Sequence, residues 1–137
     1  MATLPPDNLP GSAYDRLIGL VVDTYTDEEV AGSLTIDPAR HAQPYGIVHG
    51  GVWCGVVETI ASIGAFIHAS KLGLVSVGVE NHTSFIRSVS EGTVRARGVP
   101  LQQGRTMSLW EVRIEDDRGR LVAHGKVRLA LIERRGA

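Results

Sequence analysis

The sequence predicts an α+β fold in which an antiparallel sheet packs around one long central helix. The stretch HGGVWCGVVETIASIGAFIH, residues 49–68, is apolar on nearly every helical face, as a core helix would be. The chain after it alternates polar and apolar residues with the period of two that is typical of strands. Because a helix that is apolar all round must be covered, we expect the sheet, alone or with a partner subunit, to enclose it.

The bulk composition is that of an ordinary soluble globular domain. The chain has 137 residues, of which 43% are hydrophobic and 21% charged. The first ten residues contain three prolines, so residues 1–12 are expected to be a loose lead-in and residues 13–135 a single domain. A net charge of −1 and dispersed arginines argue against nucleic acid as a partner. One cysteine and the lack of a signal peptide indicate a cytoplasmic location.

Four segments precede the central helix: a helix at residues 12–18, strands at 20–26 and 30–36, and a polar loop at 37–46. Ser12 is the expected cap of the first helix, and Asp15 three residues later completes part of a capping box. Asp27 and Glu28 form the turn between the two strands. The segment therefore reads as a short helix followed by a hairpin and a loop.

The central helix is predicted to begin at His49-Gly50-Gly51 and to run to about Lys71. Its apolar stretch of about 18 residues could also suggest a membrane span. Glu58 near its centre, several glycines and the amphipathic strands elsewhere favour a buried core helix instead, since a charge in mid-membrane is costly. No membrane partner is expected.

Four strands in an antiparallel run are predicted after the helix, at residues 75–86, 93–99, 107–115 and 121–132. The turn residues between them lie at 88–92, 102–104 and 116–119. Two strands, one buried helix and four further strands match the description of a hotdog fold, in which a curved antiparallel sheet wraps around one central helix. Periodicity alone supports only an α+β fold with an antiparallel sheet and one central helix.

The start of the central helix has backbone features that suit the binding of a negatively charged oxygen. A helix N-terminus exposes unpaired N–H groups and the positive end of the macrodipole, and Gly50 and Gly51 leave those groups open to a ligand oxygen. An oxyanion in a tetrahedral intermediate would be stabilised there. Tight packing or a turn would also explain two glycines, and for the glycines alone that is the simpler explanation.

Glu58 is the only charged residue between His49 and His68. A carboxylate in apolar surroundings is costly unless it is paired, hydrogen-bonded or protonated, and such carboxylates are common at functional sites. A bond to a neighbouring backbone or hydroxyl group is the alternative. Since Glu58 lies two to three turns beyond Gly50, a partner chain across an isologous dimer interface would be needed to bring the two together.

Other site chemistries find no support in the sequence. There is no Gly-x-Ser-x-Gly elbow, no His-Glu-x-x-His or Cys-x-x-Cys zinc motif, and no phosphate loop or dinucleotide fingerprint. The five histidines are widely spaced, and Cys54 fits a small core residue better than a nucleophile. No metal or cofactor is therefore expected.

Longer sequence motifs give a more specific signal than these single residues. Gln43-Pro-Tyr-Gly-Ile-Val-His-Gly-Gly-Val is followed by Glu58, nine residues after the histidine, and then by Val79-Glu-Asn-His-Thr-Ser-Phe-Ile-Arg and Glu91-Gly-Thr-Val-Arg-Ala. This pattern resembles the hotdog-fold acyl-CoA thioesterases of the PaaI type. It is most similar to the 4-hydroxybenzoyl-CoA thioesterase branch, which uses glutamate on the helix. The resemblance covers roughly residues 15–135.

The resemblance implies a set of catalytic residues. Glu58 would attack the thioester carbonyl or activate water, while the Gly50 N–H would hold the carbonyl oxygen. Gln43 from the facing subunit would orient the carbonyl or the water, Ser62 would position the hydrolytic water, and His49 would brace the loop. From the residues alone, Gln43 could be an ordinary loop amide, and Ser62 could bond back to the helix carbonyl four residues earlier.

Two further groups are candidates for binding. Substrate-binding candidates are Gly51, Asn81, His82 and Ser84, although a hydrogen-bonded strand end would explain the last three almost as well. The resemblance assigns contacts with coenzyme A to Arg87, Arg105, Thr106 and Arg135, where Arg105 replaces a small hydroxyl residue found in relatives. The ordinary state of a surface arginine, solvated charge, is the alternative.

We therefore expect a thioesterase that hydrolyses an aromatic or a short- to medium-chain acyl-CoA, without a cofactor. By resemblance it would be a homotetramer, a dimer of dimers, with active sites at subunit interfaces. Two alternatives stay open: a hotdog acyl-CoA dehydratase or hydratase, and a non-catalytic acyl-CoA binding protein. The acyl group and the choice between nucleophile and general base for Glu58 are not determined by the sequence.

Overall fold

The computed structural model describes residues 12–135, which form one six-stranded antiparallel sheet packed on a long helix. The strand order is β1-β2-β4-β5-β6-β3. The elements are α1 (Ser12–Ile18), β1 (Leu20–Tyr25), β2 (Val30–Thr35), α2 (Pro38–His41), α3 (Gly50–Lys71), β3 (Val75–Phe85), β4 (Thr93–Gln103), β5 (Met107–Glu115) and β6 (Leu121–Ile132). Of the lead-in predicted at residues 1–12, residues 1–11 lie outside the described residues and Ser12 begins α1; the predicted cap by the Ser12 side chain also lies outside them.

Two local predictions were incomplete. The segment predicted as a polar loop contains α2, because Asp37 caps it by accepting a hydrogen bond from the Ala39 N–H and Pro38 suits the first helical turn. Strand β4 was predicted to stop at Val99 but continues to Gln103. A shift of register between Pro100 and Gln102 explains this, since a bulge lets a strand carry a proline that cannot donate to the ladder.

Asp15, predicted as part of a capping box with Ser12, also has a partner on α3 that the sequence did not predict. Its side chain is buried, and the carboxylate accepts a hydrogen bond of 2.8 Å from the hydroxyl of Thr59 on α3. Tyr14, its neighbour on α1, lies against Gly55 one turn earlier on α3. The short N-terminal helix is therefore anchored on the central helix.

Helix α3 is the core helix that the apolar stretch predicts. It is long and apolar enough to cross a membrane, but its large side chains, including Val56, Ile60 and Ile63, are fully buried against the sheet. Gly64 lets the helix approach the buried Trp110 of β5 so closely that an added Cβ would overlap the indole ring. Close packing of this kind fixes the helix axis relative to the sheet.

Strand β3 lies at one edge of the sheet and is mostly exposed. It is 11 residues long, and among residues 12–135 it pairs only with β6. Val79 and Phe85 on this strand, and Ile86 directly after it, are more than half exposed. A long edge strand with exposed apolar side chains is unusual for an isolated chain, because its free N–H and C=O groups invite pairing.

Candidate functional site

His49 caps α3, and this decides which backbone amide remains free. The His49 Nδ1 atom accepts a hydrogen bond of 2.8 Å from the Gly51 N–H, and the Val52 N–H bonds to the His49 carbonyl at 2.9 Å. Within residues 12–135, the Gly50 N–H has no hydrogen-bond partner. Of the two amides considered from sequence, only that of Gly50 can receive a ligand oxygen without breaking the cap.

Gln43 and Gly50 line the same cavity, of about 230 Å³. Its walls also include Trp53, Phe85 and Arg87. The Phe85 ring lies on the Cα of Gly50, where a Cβ would overlap it, so close packing requires this glycine in addition to any chemical role. The cavity combines an unpaired amide, a side-chain amide and a guanidinium with aromatic walls, which is the usual character of a small-molecule site.

The loop that carries Gln43 is a tight turn. Ala42 and Val48 form an isolated antiparallel bridge, and the Gln43 N–H donates to the Ile47 carbonyl at 2.8 Å. The Gln43 side-chain oxygen accepts a hydrogen bond from the Tyr45 N–H. This leaves the side-chain NH₂ of Gln43 available as a donor toward the cavity.

His41 anchors this loop, a role that sequence analysis missed. The side chain is buried; its Nδ1 accepts from the Asp37 N–H at 2.9 Å, and its Nε2 lies 2.6 Å from the Ile18 carbonyl. The His41 carbonyl in turn accepts from the His49 N–H at 2.8 Å. The only signal in the sequence was a histidine between a capped turn and the His-Gly-Gly motif, which does not distinguish an anchor from a surface residue.

Glu58 is half-buried and faces β3. Its Oε2 accepts a hydrogen bond of 2.9 Å from the Asn81 side-chain amide, and its Oε1 lies against the backbone of Gly78. The Ser62 hydroxyl is 3.5 Å from Oε1, at the outer limit of a hydrogen bond. No salt bridge to Glu58 occurs among the residues that the structure describes. The carboxylate is thus held by a neutral amide.

Glu58 and Gly50 do not meet within one chain. They lie eight residues apart on α3, which corresponds to about 12 Å along a helix axis. Glu58 is not among the residues that line the cavity of Gly50 and Gln43. A single chain therefore holds the Glu58 carboxylate and the Gly50 amide apart, and we call these two places candidate half-sites.

The residues considered for substrate binding on β3 divide between its two faces. Asn81 points toward α3, as does Thr83, whose hydroxyl donates to the side-chain Oδ1 of Asn81 at 2.6 Å. Strand alternation puts His82 and Ser84 on the opposite face of the sheet. Neither can share a pocket with Glu58 inside one chain.

The candidate contacts for coenzyme A are also separated. The Arg87 N–H bonds to the Val122 carbonyl, while the Thr106 carbonyl accepts from the Leu131 N–H at the other end of β6. That length of strand spans about 30 Å. Arg105 adjoins Thr106, and Arg135 follows the end of β6, so both lie at the end remote from Arg87. All three arginines are exposed.

Comparison with known proteins identifies the family. A model of the thioesterase superfamily matches residues 45–123, which include the loop of Gln43 from Tyr45 onward, all of α3 and strands β3 to β5. The chain belongs to the thioesterase superfamily. The hotdog fold predicted from the sequence is confirmed, and membership supports hydrolysis of thioesters as the general activity.

Individual similar proteins support the assignment to this family. A Mycobacterium tuberculosis protein provisionally named an esterase is 40% identical over 124 residues, which cover 89% of this chain and 88% of the relative. Its solved structure has a TM-score of 0.86 and covers 90% of this chain and 99% of its own. The proofreading thioesterase EntH of Cronobacter sakazakii is 31% identical, covering 84% and 82% of the two chains. A solved thioesterase of Haemophilus influenzae has a TM-score of 0.85 at 25% identity, covering 96% and 93%.

The described residues contain no group of three or more histidine, cysteine, aspartate or glutamate side chains that could hold a metal ion. The groups present at the two candidate half-sites are the Glu58 carboxylate, the backbone amide of Gly50, the side-chain amides of Gln43 and Asn81, and the Ser62 hydroxyl. A carboxylate together with an amide donor for an oxyanion is sufficient for acyl transfer to water.

Proposed function

We propose that the protein is an acyl-CoA thioesterase of the PaaI type, similar to the 4-hydroxybenzoyl-CoA thioesterase branch, with Glu58 as its catalytic carboxylate. The observation that carries the proposal is the half-buried Glu58 carboxylate on the core helix of a thioesterase-superfamily chain, which Asn81 holds and which has no cationic partner among residues 12–135. Without a neutralising cation, the carboxylate keeps its capacity as a nucleophile or general base.

The substrate carbonyl would bind at the other half-site. Its oxygen would accept from the Gly50 N–H, and the free NH₂ of Gln43 would orient the carbonyl or the attacking water. His49 serves this arrangement indirectly, because it caps α3 through the Gly51 amide and leaves that of Gly50 unpaired. Ser62, close to Glu58, would position the hydrolytic water.

The two half-sites would be joined by a partner subunit. Antiparallel pairing of β3 with β3 of a second copy, about a two-fold axis, would continue the sheet and cover the exposed apolar edge. The same operation sets the central helices antiparallel, which directs Glu58 of one chain toward Gly50 of the other. It would also bring the end of the sheet that carries Arg105, Thr106 and Arg135 beside the partner's Arg87 end.

Coenzyme A carries phosphates, so these arginines would hold the nucleotide at the mouth of the joint site. The acyl group would be aromatic or of short to medium length. A dimer of dimers in the cytoplasm is the expected assembly and location. The proposed hydrolysis needs no cofactor.

The decisive experiment measures free thiol release from benzoyl-type and short-chain acyl-CoA thioesters. Glu58→Ala and Glu58→Gln should lower kcat by about 10²- to 10⁴-fold, the usual contribution of a positioned acid–base group, with the fold unchanged by circular dichroism. Turnover close to that of the parent protein in folded Glu58→Ala would refute the assignment. Binding of acyl-CoA by the parent protein without thiol release would instead identify an acyl-CoA binding protein.

A mixing experiment tests the shared site. Glu58→Ala and Gln43→Ala chains, each weakly active alone, should form mixed dimers after co-refolding in which one of two sites has both residues. Statistical mixing would then return roughly a quarter of parental activity. No recovery, with mixed dimers shown to form, would mean that each chain builds its site alone.

A further inference from the structure

Asn81 is the side chain that connects β3 to Glu58. Its Nδ2 donates to Glu58 Oε2 at 2.9 Å and to the Cys54 carbonyl at 3.1 Å, and its Oδ1 accepts from the Thr83 hydroxyl at 2.6 Å. A carboxylate and a backbone carbonyl can only accept, so the NH₂ end of the amide must face them. The orientation of Asn81 is therefore determined by its partners.

These contacts give the two carboxylate oxygens of Glu58 different environments. Oε2 is engaged by Asn81, whereas Oε1 lies between the backbone of Gly78 and the hydroxyl of Ser62 at 3.5 Å. Because a Cβ at Gly78 would overlap Oε1, the glycine makes room for the carboxylate at this position. Because the hydrogen bond to Oε1 is the longer of the two, we infer that Oε1 is the oxygen that would engage a substrate or a water molecule.

We propose that Asn81, supported by Thr83, is a positioning residue that holds the Glu58 carboxylate in the orientation needed for reaction. This inference rests on the proposed function of Glu58. It replaces the expectation that Asn81 lines a substrate pocket, since both polar ends of its amide are engaged within the chain.

A neutral amide suits this purpose. An arginine or lysine at the same place would hold the carboxylate more strongly but would also stabilise its charge and weaken it as a base or nucleophile. The amide restricts the rotation of the Glu58 carboxylate, and because it is neutral it stabilises the negative charge less than a cation would. Thr83 acts on Glu58 only through Asn81, because its hydroxyl keeps the side-chain oxygen of Asn81 turned away from Glu58.

The test compares kcat and KM for acyl-CoA hydrolysis in Asn81→Leu, Thr83→Val and Thr83→Ser. Asn81→Leu should lower kcat by about 10- to 100-fold, the scale of a misplaced reacting group, with KM changed by less than about twofold. Thr83→Val should lower kcat by a smaller factor, and Thr83→Ser, which retains the hydroxyl, should restore it. Thr35→Val is the matched control: its hydroxyl bonds to that of Thr93 on β4, remote from Glu58, and its removal should leave kcat unchanged.

The outcomes separate this inference from the proposed function. If Glu58→Ala retains turnover, the proposed function fails. If Glu58→Ala is inactive while folded Asn81→Leu and Thr83→Val keep the parental kcat, only the positioning role fails. A raised KM with unchanged kcat would make Asn81 a substrate contact and overturn the inference. Addition of Asn81→Leu to Glu58→Ala should cause no further loss. If Asn81→Leu does not fold, Thr83→Val and Thr83→Ser decide the question.

Discussion

Asp15 of α1 and Thr59 of α3 are joined by a buried hydrogen bond of 2.8 Å, in which the Thr59 hydroxyl donates to the carboxylate. Burial raises the pKa of Asp15 above its usual value, although the bond from Thr59 and the nearby Arg16 oppose this. The contact lies beside Glu58 in the sequence of α3, so it connects the anchoring of the N-terminal helix to the helix that bears the candidate site.

The raised pKa of Asp15 predicts a specific pH dependence of stability. Between the ordinary pKa of an aspartate and the raised value, the folded state binds more protons than the unfolded state. The free energy of unfolding contributed by Asp15 should therefore fall as the pH rises through this window. Asp15→Asn, which can still accept from Thr59, should remove this slope and give an equal or higher Tm at pH 7.

Asp23 supplies the matched control for this measurement. The ion pair with Arg95 lowers the pKa of Asp23, so its stabilising contribution is present above the ordinary aspartate pKa and is lost as the pH falls. Asp23→Asn should lower the Tm at neutral pH and not at low pH. Denaturation curves from pH 3 to 8 would refute both assignments if the two variants shifted stability in the same direction.

Packing against Trp110 predicts that Gly64→Ala is destabilising. Alanine is the better helix former by up to about 1 kcal/mol, but the added methyl group must displace a fully buried indole. We expect a net loss of about 1–3 kcal/mol in urea denaturation. Gly55→Ala is the control on the same helix, since its methyl group meets the hydroxyl end of Tyr14, which is 43% exposed and can move; its stability should be unchanged or higher.

Arg87 lines the cavity of Gly50 and is predicted to contact the nucleotide of coenzyme A. Arg87→Ala should raise KM about fivefold, equivalent to about 1 kcal/mol for an exposed ionic contact, with little change in kcat. Arg113→Ala, which removes an exposed arginine paired with Glu115 on β5, is the control and should leave KM unchanged. An unaltered KM in Arg87→Ala would exclude Arg87 from the site.

The exposed edge at β3 predicts an interface. Val79→Lys should weaken association, because it introduces a charge where the proposed pairing buries an apolar side chain, and thioester hydrolysis should fall with it. Val21→Lys tests the opposite edge: Val21 is also exposed, on β1, and its replacement should change neither quantity. Light scattering over a dilution series would oppose the prediction if Val79→Lys associated as strongly as the parent protein.

Local patterns in the sequence were sufficient for the order and type of the main elements. The period of two after Gly73 and the apolar stretch after His49 predicted strands β3 to β6 and helix α3, with boundaries within one residue except at β4. Pro100 led to the prediction that β4 ends at Val99. The bulge that lets the strand continue past this proline depends on pairing with β5, which the local sequence does not show. Helix α2 was missed for a related reason: a single helical turn has no periodicity to detect.

The candidate site could likewise be predicted only in part from the sequence. The sequence by itself determined that Glu58 is an isolated carboxylate on a core helix, two to three turns from Gly50, because helix geometry converts spacing directly into position. Only the tertiary structure decided that Asn81, 23 residues away, holds that carboxylate, and that His41 ties its loop to Ile18 and Asp37. Such contacts join segments brought together by the packing of the sheet on α3, and no local period or spacing in the chain encodes them.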